Sequence, residues 1–265
     1  MVSLLAAAAL AAALPETAPL PQPAPAMFEI HDADTTIYLF GTFHALDEDQ
    51  QWFGYGVRDA FEQSNELVLE TLLPEGPRAA EQMKQSIKAP SVAPSATFLT
   101  TTKMAISAGR SQGMQIDNGA DMVLRHVAEA EGKPVEGLET LQLQLSMFNH
   151  LRVEGPAVPK DAKPGQRIDG ESMQDLSHAL AKMQSAWKRG DQSVFVQMLS
   201  QLDAASPETY RMMFTERNAR WADWIAARLQ TPGTVFVAVG AGHLAGKDSV
   251  LVRLAEKGIE SQRVN

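Results

Sequence analysis

The chain is 265 residues long, 45% hydrophobic and 21% charged, with 18 Gly and 15 Pro, a composition that excludes disordered, collagen-like and coiled-coil proteins. It holds no cysteine, which excludes disulfides, thiolate metal sites, iron–sulfur clusters and cysteine nucleophiles. A net charge of −9 and a pI near 5.2 lack the basic footprint of a nucleic-acid binder or of a protein drawn to anionic membranes.

Residues 2–14 read VSLLAAAALAAAL, an uncharged apolar run shorter than the roughly 20 residues a membrane span needs. It matches the apolar segment of a secretory signal peptide, although no Lys or Arg precedes it. Five prolines follow between Pro15 and Ala26 and mark an extended linker. Ala24-Pro25-Ala26 before Met27 gives a small-x-small pattern for cleavage. The expectation is therefore residues 1–26 as signal peptide and linker and 27–265 as one domain. The mature protein is expected to be exported, periplasmic or secreted, without stable membrane insertion. An Ala/Pro-rich extension with no targeting role is the alternative.

From there the pattern alternates. Thr36 to Phe40 (TIYLF) is β-rich and ends in Gly41-Thr42. A helix follows with Phe53, Val57, Ala60 and Phe61 on one face, and Leu67-Val68-Leu69 reads as a buried strand. Joined by a helical crossover, the two strands are expected to run parallel. The unit recurs as a helix over 120–130, a Gly132-Lys133-Pro134 break and a strand from Val135 to Leu138. Thr234 to Val239 (TVFVAV) is the clearest strand; a helix marked by Val250, Leu251 and Leu254 follows it, then a last strand over Ile259 to Val264. Helical inserts are predicted over 78–110, around Pro90 and Pro94, and three more over 171–229. Residues 158–170 are polar and rich in Pro, Gly and Lys, as exposed loops are. The class is α/β, with a central mostly parallel sheet plus helical inserts.

Two G-x-x-H motifs, Gly41-Thr42-Phe43-His44 and Gly240-Ala241-Gly242-His243, directly follow predicted strands. In parallel sheets the carboxyl ends of the strands lie on one side, where ligands bind. His44, Glu70, Glu139 and His243 all fall at such ends, so two imidazoles and two carboxylates converge on one crevice. Glycines before each histidine let backbone amides approach a ligand closely. Two His with one or two carboxylates form a ligand set for Zn, Mn or Fe(II). A metal there acidifies a water toward pH 7, with the free carboxylate as general base. The alternative is that each His bonds its own turn and each Glu caps a helix. The last long helix carries Arg217 and Asn218 on the same face as Met213, Phe214, Trp221, Trp224 and Ile225. A guanidinium on a buried face must be paired, so Arg217 is expected to meet Glu70 or Glu139, or to bind a substrate anion.

The series YLFGTFH, NELVLE, GKPVEGLETLQLQL, ERN, FVAVGAGHLAG and KGIESQRV resembles the TraB/GumN (TraB/PrgY/GumN) family, related to the TIKI metalloproteases. The likeness runs from Phe28 to Val264 with the motifs in the family's order. It implies an α/β core in which paired G-x-x-H motifs frame a metal-dependent hydrolase site. That carries over onto His44, His243 and Glu70, with Glu139, Gln142, Arg217 and Asn218 as further polar positions. Haem-binding ChaN proteins and erythromycin esterases are wider relatives, so fold alone does not fix activity.

Three functions follow as expectations. The first is an exported metal-dependent hydrolase acting on peptide bonds. His44, His243 and Glu70 would hold Mn, Zn, Co or Fe. Glu70, Arg217 and Glu139 would serve catalysis, and Asn218, Gln142, Gly41, Thr42, Gly240 and Gly242 would line a peptide or small-molecule substrate. The second is a protein that binds haem, metal or peptide without chemistry. The third uses Ser111, which lies in a literal G-x-S-x-G at 109–113 with His243 downstream; that motif requires a strand before the serine and a helix starting at it. His31, His126, His150 and His178 fall in no metal-ligand motif of the sequence, and Asp47-Glu48-Asp49 reads as a charged helix start.

Overall fold

The computed structural model describes residues 24–74, 76, 81, 96–150 and 170–265. The expected loop over 158–170 and the segment around Pro90 and Pro94 lie outside the described residues, save for Gly170.

Alternating apolar side chains make the strands, and where both faces are covered the runs become continuous. β1 (Met27–His31) turns back as an antiparallel hairpin into β2 (Thr35–Thr42). A short 3-10 turn (Gln51–Phe53) and α1 (Tyr55–Gln63) lead to β3 (Glu66–Thr71). Next come α2 (Ala96–Ser111), α3 (Ala120–Ala130) and β4 (Val135–Glu139), then α4 (Leu141–His150), α5 (Gly170–Lys188) and α6 (Ser193–Ala205). α7 (Pro207–Tyr210) continues through a π-helical segment (Arg211–Thr215) into α8 (Glu216–Arg228). β5 (Gly233–Gly240), a 3-10 turn (Ala241–Leu244), α9 (Val250–Ala255) and β6 (Gln262–Arg263) complete the chain.

The sheet order is β4-β3-β5-β2-β1-β6. β4, β3, β5 and β2 are mutually parallel, in register from Thr35↔Gly233 to Thr42↔Gly240 between β2 and β5, and β1 and β6 add antiparallel pairs at one edge. The mostly parallel sheet is thus as expected. The hairpin strand β1 was not, and the last strand shrinks from the expected 259–264 to two residues.

Side chains on successive strand positions go to opposite faces. Phe236 and Ala238 of β5 join Phe40, Trp52, Phe61, Leu124 and Trp187 in one core. Val235, Val237 and Val239 join Ile37, Leu39, Trp221, Ile225 and Leu254 in the other. α5 is locked to the sheet where the indole Nε1 of Trp187 donates to the Gly41 carbonyl at 2.7 Å. Asp47 and Asp49, expected to open a helix, instead share the Lys188 ammonium of α5 at 2.9 and 3.1 Å.

Ala26, on the linker side of the expected boundary at Met27, is packed into the fold. Its carbonyl accepts from Gly41 N at 3.1 Å, extending the hairpin ladder. The Asn265 side chain then clamps the same stretch, donating to Pro25 O at 2.6 Å and accepting from Met27 N at 2.8 Å.

Candidate functional site

Four adjacent parallel strands deliver four side chains to one edge of the sheet. β3 supplies Glu70 and β4 ends in Glu139. His44 stands two residues beyond β2, and His243 lies in the 3-10 turn that follows β5.

Arg217 joins them. Its face of α8 is buried, with Arg217 and Asn218 at 2% and 1% exposure beside Trp221 and Ile225. The guanidinium Nε donates to Glu139 at 2.9 and 3.2 Å, Nη2 donates to Glu70 Oε2 at 3.2 Å, and Nη1 lies 3.2 Å from His243 Nε2. The expected partner was Glu70 or Glu139; the structure pairs Arg217 with both. Only a planar fork with several donors holds three groups in this way. The same guanidinium sits over the Trp221 ring, 4.6 Å from its centroid. Arg220, one turn on, donates to Glu139 Oε1 at 3.1 Å. Both Glu139 oxygens are therefore occupied by arginines, which makes this carboxylate an anchor for Arg217.

The tautomer of His243 follows from its neighbours. The Asn218 amide donates to Asp248 O at 2.7 Å, which turns its oxygen toward His243 Nδ1 at 2.6 Å. Assigned from that network, Nδ1 carries the proton and Nε2 a lone pair. Burial, with the Arg217 charge added, lowers the His243 pKa to about 3, so the ring is neutral. Its Nε2 accepts from Arg217 and also faces Glu70 Oε1 at 3.3 Å. The Arg217 guanidinium thus bridges the pair, Nη1 to His243 and Nη2 to Glu70 Oε2.

Glu70 Oε1 also accepts the Gly240 amide at 2.9 Å. Burial opposes ionisation of Glu70, but Arg217, His44 and the Gly240 N–H outweigh it and hold its pKa well below the usual carboxylate range. The charge on Arg217 is likewise opposed by burial and reinforced by Glu70 and Glu139, with a net upward shift.

Gly240 leaves the space between these groups. A Cβ built there would lie 3.2 Å from Glu70 Oε1, 3.3 Å from His44 Nε2 and 3.7 Å from His243 Cδ2. His44, with 60% of its side chain exposed, places Nδ1 at 3.1 Å from Asp121 Oδ1. The Asp121 carboxylate raises the His44 pKa to about 9.

The other expected site residues separate. Gly41 and Gly242 give their space to the protein itself, since a Cβ would meet Ala241 Cα at 3.2 Å and the Phe214 ring at 3.2 Å respectively. Thr42 is buried with its hydroxyl unpaired, and Gln142 is exposed at the start of α4. Ser111 ends helix α2, with no strand before it. Its hydroxyl donates to Ala108 O at 2.7 Å and lies 3.0 Å from Ser177 Oγ, so the nucleophile-elbow geometry is absent. Asp121 and Arg220 were missed from sequence. Arg220 is signalled by its position three residues after Arg217 on one helix, whereas Asp121 reads only as an acid in a helix's first turn.

Among the described residues, no three His, Asp or Glu side chains form a ready metal cage. The donor chemistry nevertheless fits a cation. His243 Nε2 and Glu70 Oε1 are spaced as two ligands of one tetrahedral metal, about 3.4 Å apart for bonds of about 2.1 Å, and His44 Nε2 faces the same gap at Gly240.

The fold and the polar cluster are those of an α/β protein whose buried ionisable groups gather at the carboxyl edge of a parallel sheet. A family model for TraB/PrgY/gumN matches residues 26–102 and 77–263, and the chain belongs to that family. No curated protein and no solved structure matches it.

Proposed function

We propose that the protein is an exported metal-dependent hydrolase that cleaves peptide bonds, with its centre at His44, His243 and Glu70. One observation carries the reading: Glu70 Oε1, His44 Nε2 and the His243 ring converge on the space beside Gly240, where a Cβ would lie 3.2, 3.3 and 3.7 Å from them. A metal there would take the His243 Nε2 lone pair in place of Arg217 Nη1, which now lies 3.2 Å from it. A divalent metal would supply Lewis-acid polarisation of a carbonyl and a water acidified toward neutral pH.

The chain's own groups do the rest. Glu70, ionised and flanked by His243, serves as ligand or, with the metal held by the histidines, as the general base that takes the proton of the attacking water and passes it to the leaving amine. Arg217, held by Glu139, neutralises Glu70 and presents a fixed positive charge where the carbonyl oxygen becomes anionic. Asn218 keeps His243 in the Nδ1–H tautomer. The apolar run over 2–14 with the prolines after it supports export; among the described residues no helix is long and apolar enough to cross a membrane.

A second reading, ligand capture without turnover, is favoured by Arg217. It already satisfies both carboxylates and takes the His243 lone pair.

Elemental analysis decides between them. The protein from Ala24 onward is compared with a His44→Ala/His243→Ala variant. Near-stoichiometric Mn, Zn, Co or Fe in the first and none in the folded second supports the hydrolase, and a peptidase screen with that metal follows. No metal in either after supplementation, or equal metal in both, overturns it.

A further inference from the structure

The two histidines are held alike but not equally. Each gives Nδ1 to a side-chain oxygen, His243 to the neutral amide of Asn218 and His44 to the carboxylate of Asp121. Asn218 is buried on a core helix. Asp121 lies at the rim, in the first turn of α3, and a chance surface contact has to be weighed against a built one.

The backbone argues that it is built. The segment before α3 is stitched to the segment after β2: Leu46 N donates to Gln115 O at 3.1 Å, Gln115 N to Leu46 O at 2.8 Å, and Ala120 N to Phe43 O at 3.0 Å. Gly119 permits this approach, because a Cβ there would stand only 2.4 Å from the His44 carbonyl. Three backbone hydrogen bonds and one obligatory glycine therefore deliver the start of α3 to His44, with Asp121 the first side chain past the junction able to reach the ring. A ring 60% exposed would otherwise turn freely, and a free neutral imidazole has no reason to keep Nε2 bare.

We infer that Asp121 is a positioning residue that fixes His44 in the Nδ1–H tautomer and aims its Nε2 lone pair at the space beside Gly240. The role in metal uptake rests on the hydrolase reading above; the tautomer does not. A carboxylate behind an imidazole orients the ring and makes it a stronger donor than an amide does, and loss of such a partner weakens metal binding by about 10–100-fold. His44 would then be the stronger imidazole ligand and His243 the weaker.

The test uses Asp121→Ala and Asp121→Asn in the full chain, with thermal unfolding to show that both fold. Two readouts are taken: the side-chain 15N tautomer of His44 above its protonation range, and the affinity for Zn²⁺ measured by competition with a chromophoric chelator. The expected result is Nδ1–H in the parent, a shift to Nε2–H in Asp121→Ala, and weakening of Zn²⁺ binding by about 10–100-fold. Asp121→Asn, which keeps an acceptor but no charge, should keep the tautomer and lose less affinity. An unchanged tautomer in Asp121→Ala overturns the inference. A tautomer shift in a protein that binds no Zn²⁺ sustains the positioning role and removes the hydrolase reading instead.

Discussion

Arg217 shows how much one side chain organises. It is 2% exposed and contacts Glu139, Glu70 and His243, each from a different strand end. Removing one member of a buried ion cluster leaves the others uncompensated, which costs more than the cluster itself contributes. Arg217→Met should destabilise the fold by about 3–5 kcal/mol, read as the urea midpoint, because two buried carboxylates lose their main counter-charge. Arg217→Lys should recover part of this, since an ammonium reaches one carboxylate but cannot fork between two. Equal stability of parent and Arg217→Met would mean that Arg220 and the Gly240 amide suffice. The pairing of Arg217 was legible in the sequence because a cation on an apolar helix stripe demands a partner. The Asp121–His44 contact was not, because an acid in a first helical turn is explained by the helix alone and its partner is 77 positions away.

At the scale of elements, strand ends were easier to read than edges. β2, β3 and β5 announce themselves by continuous apolar runs, and Glu70 follows from counting to the end of one; Glu139 follows from the Gly132-Lys133-Pro134 break and the short strand VEGLE after it. β1, MFEIH, is five residues long with mixed polarity, and β6 has two residues; both are strands because of the neighbours they pair with. The π-helical segment at Arg211–Thr215 was also invisible, since its one-residue offset looks like an ordinary helical stripe. Such segments recur at functional sites, and here the Met213 carbonyl accepts from Arg217 Nη1 at 3.4 Å. The junction of α3 with β2 yields a prediction of its own. In Gly119→Ala the added methyl meets backbone rather than a flexible side-chain tip, at 2.4 Å from His44 O. It should cost about 1–3 kcal/mol or more by overpacking and displace His44. Thermal unfolding checks the first, and the His44 ring shifts in NMR check the second. An unperturbed spectrum would show the junction to be soft.

For the whole molecule, the site sets the response to pH. His243 is lowered from 6.5 to about 3, and Glu70 is held well below its ordinary 4.5. Between those values the unfolded chain binds protons that the folded chain does not, so stability falls as pH drops, first below 6.5 and then more steeply below 4.5. His44 acts in the opposite direction: raised to about 9, it contributes stability that is present below 6.5 and lost as pH rises through about 9. Its exposure keeps that contribution small. Urea unfolding across this range should therefore show an acid limb that Glu70→Gln flattens below pH 4.5. An acid limb unaltered by Glu70→Gln would assign it to other carboxylates.

The clamp of Asn265 on Pro25 and Met27 has a topological consequence. Residues 25–27 and 265 are direct neighbours at the sheet edge, and they lie beside Phe40 and Gly41, toward the same carboxyl end of the sheet as the polar cluster. Segments that lie side by side in this way are what allow the packed unit between them to be closed into a ring and reopened elsewhere. The parallel strands that carry Glu70, Glu139 and the two histidines are held by lateral register and by α8, so the site depends on which strands lie side by side. The order in which the chain visits them is, for this centre, a matter of connection alone.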